Sequence, residues 1–206
     1  ADTAAAALAV ALGAVKLAPE NALYHINRGT VLFRQGNLDR ASEDFARAIR
    51  LDPRYARAHA LLGWAVYWST LCYWHPDRQG GFRQAAVHAQ EALSLDPNDP
   101  WARMVAGLCY STSGQHDRAL GELAEALSLN PAFALGHMAY GWALLRAGRS
   151  DEALAETGLA LKLSPVDSFS GFYTTIHGLA LLARRRFAEA LPYLRRSIAA
   201  FAEYAG

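Results

Sequence analysis

Residues 100–133 read PWARMVAGLCYSTSGQHDRALGELAEALSLNPAF, and residues 134–167 read ALGHMAYGWALLRAGRSDEALAETGLALKLSPVD. Laid one under the other, they match Gly107 to Gly141, Gly114 to Gly148, Ala119 to Ala153, Ala126 to Ala160 and Pro131 to Pro165, always 34 residues apart. Carried towards the N-terminus, the same beat picks out Pro97, Pro53 and Pro19, with a single longer gap of 44 residues between Pro53 and Pro97. Ala7, Ala41 and Ala85 follow the same series, as do Gly29 and Gly63, and the last unit continues it after 37 residues with Ala190 and Gly178. A fixed period near 34 marks units that cannot bury an apolar face alone and do so by stacking on their neighbours.

With the first glycine of each unit set as position 8, the chain reads as one array over 1–206. A half repeat at 1–21 precedes units at 22–55, 56–99, 100–133, 134–167 and 168–206. The 56–99 unit carries ten extra residues within Ser69–Arg83, STLCYWHPDRQGGFR. Small residues at positions 8, 20 and 27 let two helices approach closely, and larger residues between them fill the seam. Gly36, Gly114 and Gly148, all at position 15, are expected to end the first helix of their units. LDP, LNP and LSP segments close the second helix, since proline disfavours helix in the residue before it. No strand pattern is present. The insertion is expected to lengthen a first helix to about Trp74, with His75-Pro76 and Gly80-Gly81 turning the chain back; Tyr73, Trp74 and Phe82 then read as part of a partial aromatic lid over the groove, with a tolerated surface insertion as the alternative.

These landmarks resemble the tetratricopeptide repeat, in which a first helix bearing W-x2-L-G-x2-Y precedes a second bearing A-x3-F, A and a closing proline. The resemblance covers nearly the whole chain, although position 4 holds His25, His59, Arg103 and His137 rather than tryptophan. It implies an all-α, right-handed superhelical solenoid of about five helix-turn-helix repeats.

Composition narrows function. A net charge of +1 gives no drive towards nucleic acid or an anionic surface. The opening ADTAAAALAVALGAVKLAPE has no basic leader, is too short to span a bilayer, and sits in repeat register. Cys72 and Cys109 read as buried free thiols of a reducing compartment, the cytoplasm, with the periplasm as the alternative. No hydrolase, P-loop or dinucleotide motif is present, so no catalytic residue, metal ligand or cofactor is implied. His25, His59 and His137 share one repeat position, are about a helix diameter apart, and read as seam residues. Arg184-Arg185-Arg186 with Arg195 and Arg196 reads as a solvated run, with contact to an acidic partner as the alternative.

Positions 2, 5, 9, 12 and 13 share a face of each first helix. In proteins of the resembled family that face lines a concave peptide-binding groove. Here it holds Arg34, Arg57, Trp64, Tyr67, Trp68, Trp101, Met104, Trp142, Arg146 and Phe172, and no acidic residue. Tryptophan, tyrosine and arginine dominate binding hot spots. If that face is open, the expected partner is a protein or peptide, largely apolar with some negative charge; the alternative is that the rings pack between helices or against the inserted segment and meet no ligand. The lysine and asparagine of the dicarboxylate clamp are replaced by Ile26, Thr30, Trp64, Met104 and Leu108, which argues against chaperone tails.

Three readings result. The first is a non-enzymatic protein-interaction scaffold. The second is a regulatory or sensor module of a larger bacterial signalling protein, because LSPVDS and the longer last repeat resemble arrays of adenylate-cyclase-like proteins and winged-helix regulators. An enzyme or small-molecule receptor using His75 or His177 ranks third, since no nucleophile, base and orienting group assemble. The ragged ends suggest a piece of a longer protein, or ends covered by a partner or by assembly.

Overall fold

The computed structural model describes residues 2–72, 75–165 and 169–204. Among the described residues the structure is entirely helical: α1 (Asp2–Leu17), α2 (Ala22–Arg34), α3 (Leu38–Leu51), α4 (Ala56–Leu71), α5 (Arg78–Leu95), α6 (Pro100–Thr112), α7 (His116–Leu129), α8 (Ala134–Arg146), α9 (Ser150–Leu163), α10 (Ser170–Ala183) and α11 (Phe187–Tyr204). The chain divides into two compact units, Ala1–Cys109 and Tyr110–Gly206. In the first, α1 packs on α2, α2 on α3, α3 on α4 and α4 on α5. In the second, consecutive helices pack in the same way from α7 to α11, and α8 also touches α10.

The repeated small residues make these contacts. Ala41, Ala85, Ala119, Ala153 and Ala190 at position 20, and Ala48, Ala92, Ala126 and Ala160 at position 27, are fully buried. At position 8 a side chain has no room. A Cβ on Gly29 would lie 2.6 Å from the Phe45 ring, and one on Gly178 2.7 Å from Leu194. Ser197 replaces the last alanine of position 27 and keeps its burial by hydrogen bonding to the Thr175 hydroxyl.

Turns follow from the same register. Gly36, Gly114 and Gly148 adopt φ of 78–79°, the left-handed region that lets the chain leave the first helix. Arg185 holds that place in the last repeat with φ 58°, where an L-residue is strained by about 1–2 kcal/mol. At the other turn, the Asp52, Asp96 and Asn130 side chains accept from the backbone N–H two residues on, at 3.0, 3.0 and 3.2 Å. These short Asx turns precede the next first helix.

The insertion is built differently from its sequence expectation. Its α4 has 16 residues against 13 in α2, α6 and α8, and α5 has 18 against 14 in α3, α7 and α9. Most of the added length therefore extends both helices of one hairpin. The first helix stops at Leu71 rather than about Trp74; Tyr73 and Trp74 lie outside the described residues. Gly80 and Gly81 do not turn the chain, because Asp77 caps α5 by accepting from the Gly80 N–H at 2.9 Å, placing both glycines in its first turn. Gly81 is there for close approach, since a Cβ would meet the buried Thr70 hydroxyl at 2.2 Å.

Candidate functional site

The position-4 histidines are seam residues bonded through both ring nitrogens. His25, His59 and His137 use Nε2 to reach the carbonyl of the proline closing the preceding repeat, Pro19 at 2.8 Å, Pro53 at 3.2 Å and Pro131 at 3.0 Å. Their Nδ1 atoms meet the second helix of their own repeat: Asp44 at 3.2 Å, His88 at 3.3 Å and Glu156 at 2.7 Å. Each imidazole thus ties two repeats together. Asp44 is buried and also takes a two-pronged contact from Arg28, with Nε at 2.7 Å. Donating Nε2–H to Pro53 leaves the His59 Nδ1 lone pair to accept from His88. Burial, then the neighbouring His59, pushes the His88 pKa below the usual imidazole range.

In the first unit the large rings of the expected groove turn inward. Every residue from Ala58 to Trp68 is buried, with Trp64 and Tyr67 each 1% exposed and Trp68 8%. The Trp64 ring lies 6.3 Å from Phe33, 6.1 Å from Tyr67 and 5.5 Å from Trp68, centroid to centroid. Tyr67 continues the cluster to Phe82 at 5.4 Å, and the Arg78 guanidinium sits 5.8 Å from the Phe82 centroid. Phe82, half-buried, thus packs on its own hairpin. The physical reason is that α4 is flanked by α3 and by the lengthened α5 and reaches Phe33 of α2, so no broad face of it remains open. Met104 and, in the second unit, Phe172 are also buried.

Arg57 is engaged as well. Its Nε lies 3.0 Å from the Asp99 carboxylate, which is buried and caps α6 by accepting from the Trp101 and Ala102 N–H groups at 2.7 and 3.1 Å. Asp99 was missed as a partner for Arg57, although an aspartate directly before Pro100 is a legible helix start. Trp101 is half-buried against the cluster of Ala60, Ala92 and Ala102. Arg34 remains exposed at the end of α2 and makes no ion pair among the described residues.

The second unit leaves a tryptophan–arginine pair open. Trp142 is half-buried and Arg146, one turn further along α8, is exposed. The Arg146 guanidinium lies 5.7 Å from the Trp142 ring centroid, and its Nε donates to the Ser111 carbonyl at 3.2 Å. That bond fixes the guanidinium over the ring and leaves its two terminal nitrogens for another acceptor. A similar pair stands on α6 and α7, where Arg118 lies 4.1 Å from the Tyr110 ring and donates to its hydroxyl at 2.9 Å.

Antiparallel helix pairs with the same positions buried in each repeat define a helical-repeat fold. Family models of the tetratricopeptide repeat match residues 22–55, 77–127 and 110–168, and the chain belongs to that family. Proteins of this family act as protein-interaction scaffolds. The chain is 45% identical over 58 residues to the TPR repeat-containing thioredoxin TTL4 of Arabidopsis thaliana, covering 28% of itself and only 8% of that relative. TTC0263, a thermophilic TPR protein of Thermus thermophilus, matches at TM-score 0.68 and 26% identity, over 91% of this chain and 90% of its own. YrrB, described as a TPR protein with an unusual peptide-binding site, matches at TM-score 0.51 and 20% identity, over 92% and 91% of the two chains; that likeness is one of fold. Among the described residues no helix is long and apolar enough to cross a membrane.

Proposed function

We propose that the chain is a non-enzymatic scaffold that binds a protein or peptide partner on the first-helix face of its repeats, with Trp142 and Arg146 as the principal contacts. The observation that carries this reading is the Arg146 guanidinium, exposed, stacked near Trp142 and held by Ser111. A partner's apolar side chain lies against the open part of the Trp142 ring, and its carboxylate takes the two terminal guanidinium nitrogens in a bidentate pair. The cluster of Trp64, Tyr67, Trp68 and the half-buried Phe82 packs α4 within the first unit and makes no contact with the partner. The peptide-binding site described for YrrB, a neighbour in fold, supports this mode of use.

Peptides selected from a random library against the whole chain test the proposal by fluorescence anisotropy. Trp142→Ala and Arg146→Ala are each expected to weaken binding about 30-fold, the loss typical of a hot-spot residue at about 2 kcal/mol. Melting is expected to stay near the wild-type value, because both side chains are at least partly open. Selected peptides that bind both variants as tightly as wild type would refute the assignment.

A further inference from the structure

The two helices of a repeat set positions 4 and 23 against each other. In the 22–55 unit these are His25 and Asp44, with Nδ1 and carboxylate 3.2 Å apart, and in the 134–167 unit His137 and Glu156 at 2.7 Å. The 100–133 unit carries Arg103 and Glu122 at the same two places in its sequence. A basic residue is thus matched with an acid in each of these units. The 56–99 unit departs from that rule: once its ten inserted residues are set aside, position 23 is His88, and it faces His59. Two nitrogen bases share one seam, so something positive has to lie between them, a ring proton or a metal ion.

The geometry suits a metal ion. Zn2+ takes imidazole nitrogens at about 2.0–2.1 Å, which at a tetrahedral angle sets two of them about 3.3–3.4 Å apart. The two Nδ1 atoms are 3.3 Å apart, longer than an ordinary N–H hydrogen bond. His59 donates from Nε2 to the Pro53 carbonyl at 3.2 Å, the outer bond that orients a metal-bound histidine, and its Nδ1 lone pair faces the seam. His88 is seated against Gly63, where a Cβ would come within 3.2 Å of the His88 Cβ, so packing fixes its place on α5. His59 is buried and His88 half-buried, which leaves a solvent side where water can complete a coordination shell. Glu91, exposed one turn further along the same face of α5, is near enough for its charge to bear on His88. Among the described residues no three His, Cys, Asp or Glu side chains stand gathered as a ligand set, so the two imidazoles are the preformed part of this site.

We propose that His59 and His88 form a binding site for a divalent transition-metal ion, Zn2+ being the one their spacing fits, held through both Nδ1 atoms and completed by water and the Glu91 carboxylate. Imidazole ligands select Zn2+, Cu2+ or Ni2+ over Mg2+ and Ca2+. On binding, the His88 ring gives up its Nδ1 proton and takes one up at Nε2 from solvent, so both rings stay neutral and both Nδ1 lone pairs go to the ion. The ion crosslinks α4 to α5 and stabilises the lengthened hairpin according to its occupancy. The His25 and His137 pairs each bring only one imidazole to their seam, and Asp44 is already held by Arg28.

The test titrates Zn2+ alone into the full chain carrying 15N-labelled histidine. The ring nitrogens of His59 and His88 are expected to shift together, Nδ1 most, while those of His25 and His137 hold, and a chelator is expected to reverse the change. His88→Gln removes one of the two nitrogen ligands and is expected to weaken Zn2+ binding at least about tenfold. Zn2+ is expected to raise the melting midpoint of the wild type and not that of His88→Gln. Should that variant lose helicity, the wild-type nitrogen shifts decide the question by themselves. Unmoved His59 and His88 signals at millimolar Zn2+ would overturn the proposal. So would equal affinity of wild type and a folded His88→Gln, which would place the ion on other histidines such as His75 or His116. Mg2+ shifting the same nitrogens as strongly would overturn it in favour of a general effect of cations. Trp142→Ala is expected to leave Zn2+ binding unchanged, so this site and the recognition face on α8 are tested apart.

Discussion

Replacing Trp64 with alanine separates support from recognition in the aromatic set. The side chain is 1% exposed and touches the rings of Phe33, Tyr67 and Trp68. Burying a ring of roughly 200 Å² at about 25 cal/mol per Å² is worth about 5 kcal/mol. Its ring pairs add about 0.5–1.5 kcal/mol each, while partial collapse of the cavity returns some of the loss. The expected cost of Trp64→Ala is about 3–5 kcal/mol, and Trp64→Phe is expected to lose markedly less. Because a repeat array can unfold in stages, native-state hydrogen exchange read along α2, α4 and α5 measures the loss better than one global midpoint. Protection in those three helices is expected to fall together. A loss below about 1 kcal/mol, with peptide binding abolished, would show that Trp64 acts as a contact and would refute the division proposed here.

Asp99→Ala removes the cap of α6 and the partner of Arg57, and is expected to cost about 1–2 kcal/mol in denaturant unfolding; Arg57→Ala, whose side chain is partly exposed, is expected to cost less. Burial, with His59 as the second cause, lowers the His88 pKa, and burial with Arg186 lowers that of His177. The unfolded chain therefore binds more protons just below pH of about 6.5, so stability is expected to fall as pH drops through that value. His88→Gln is expected to flatten the thermal melting profile between neutral and mildly acidic pH; an unchanged slope would remove His88 from the explanation. Burial raises the Cys72 and Cys109 thiols to about 11 and about 12, so neither is expected to react with a disulfide reagent at neutral pH until denaturant is added.

Much of the fold is legible because its signals repeat. A glycine at position 8 or an alanine at position 20 is a weak sign once and a strong one at a constant interval, since each copy meets the same packing constraint. The second-helix ends were readable for a similar reason: Asp52, Asp96 and Asn130 each precede a proline and form the same turn. The candidate site was legible only as a face. Helical spacing places Trp64 and Trp142 at the same position of their repeats, yet one is buried and the other partly open. What separates them is tertiary: Trp64 meets Phe33 and the rings of the lengthened α4–α5 hairpin, and no single-helix pattern reports that enclosure. Arg57 illustrates the same limit, because its partner Asp99 lies in the turn beyond the following second helix, distant in sequence. Arg185 was visible as part of a charge run, but its left-handed backbone at a place held by glycine elsewhere became apparent only with the dihedral angles.

The division between open and buried tryptophans is tested most directly by the indole N–H signals of the five tryptophans in a 15N-labelled chain, assigned by single substitutions. Titrating a selected peptide is expected to shift the Trp142 signal at low occupancy while the Trp64 and Trp68 signals hold their positions. Shifts at Trp64 and Trp68 with Trp142 unmoved would contradict the proposed recognition face and return the binding role to the buried cluster.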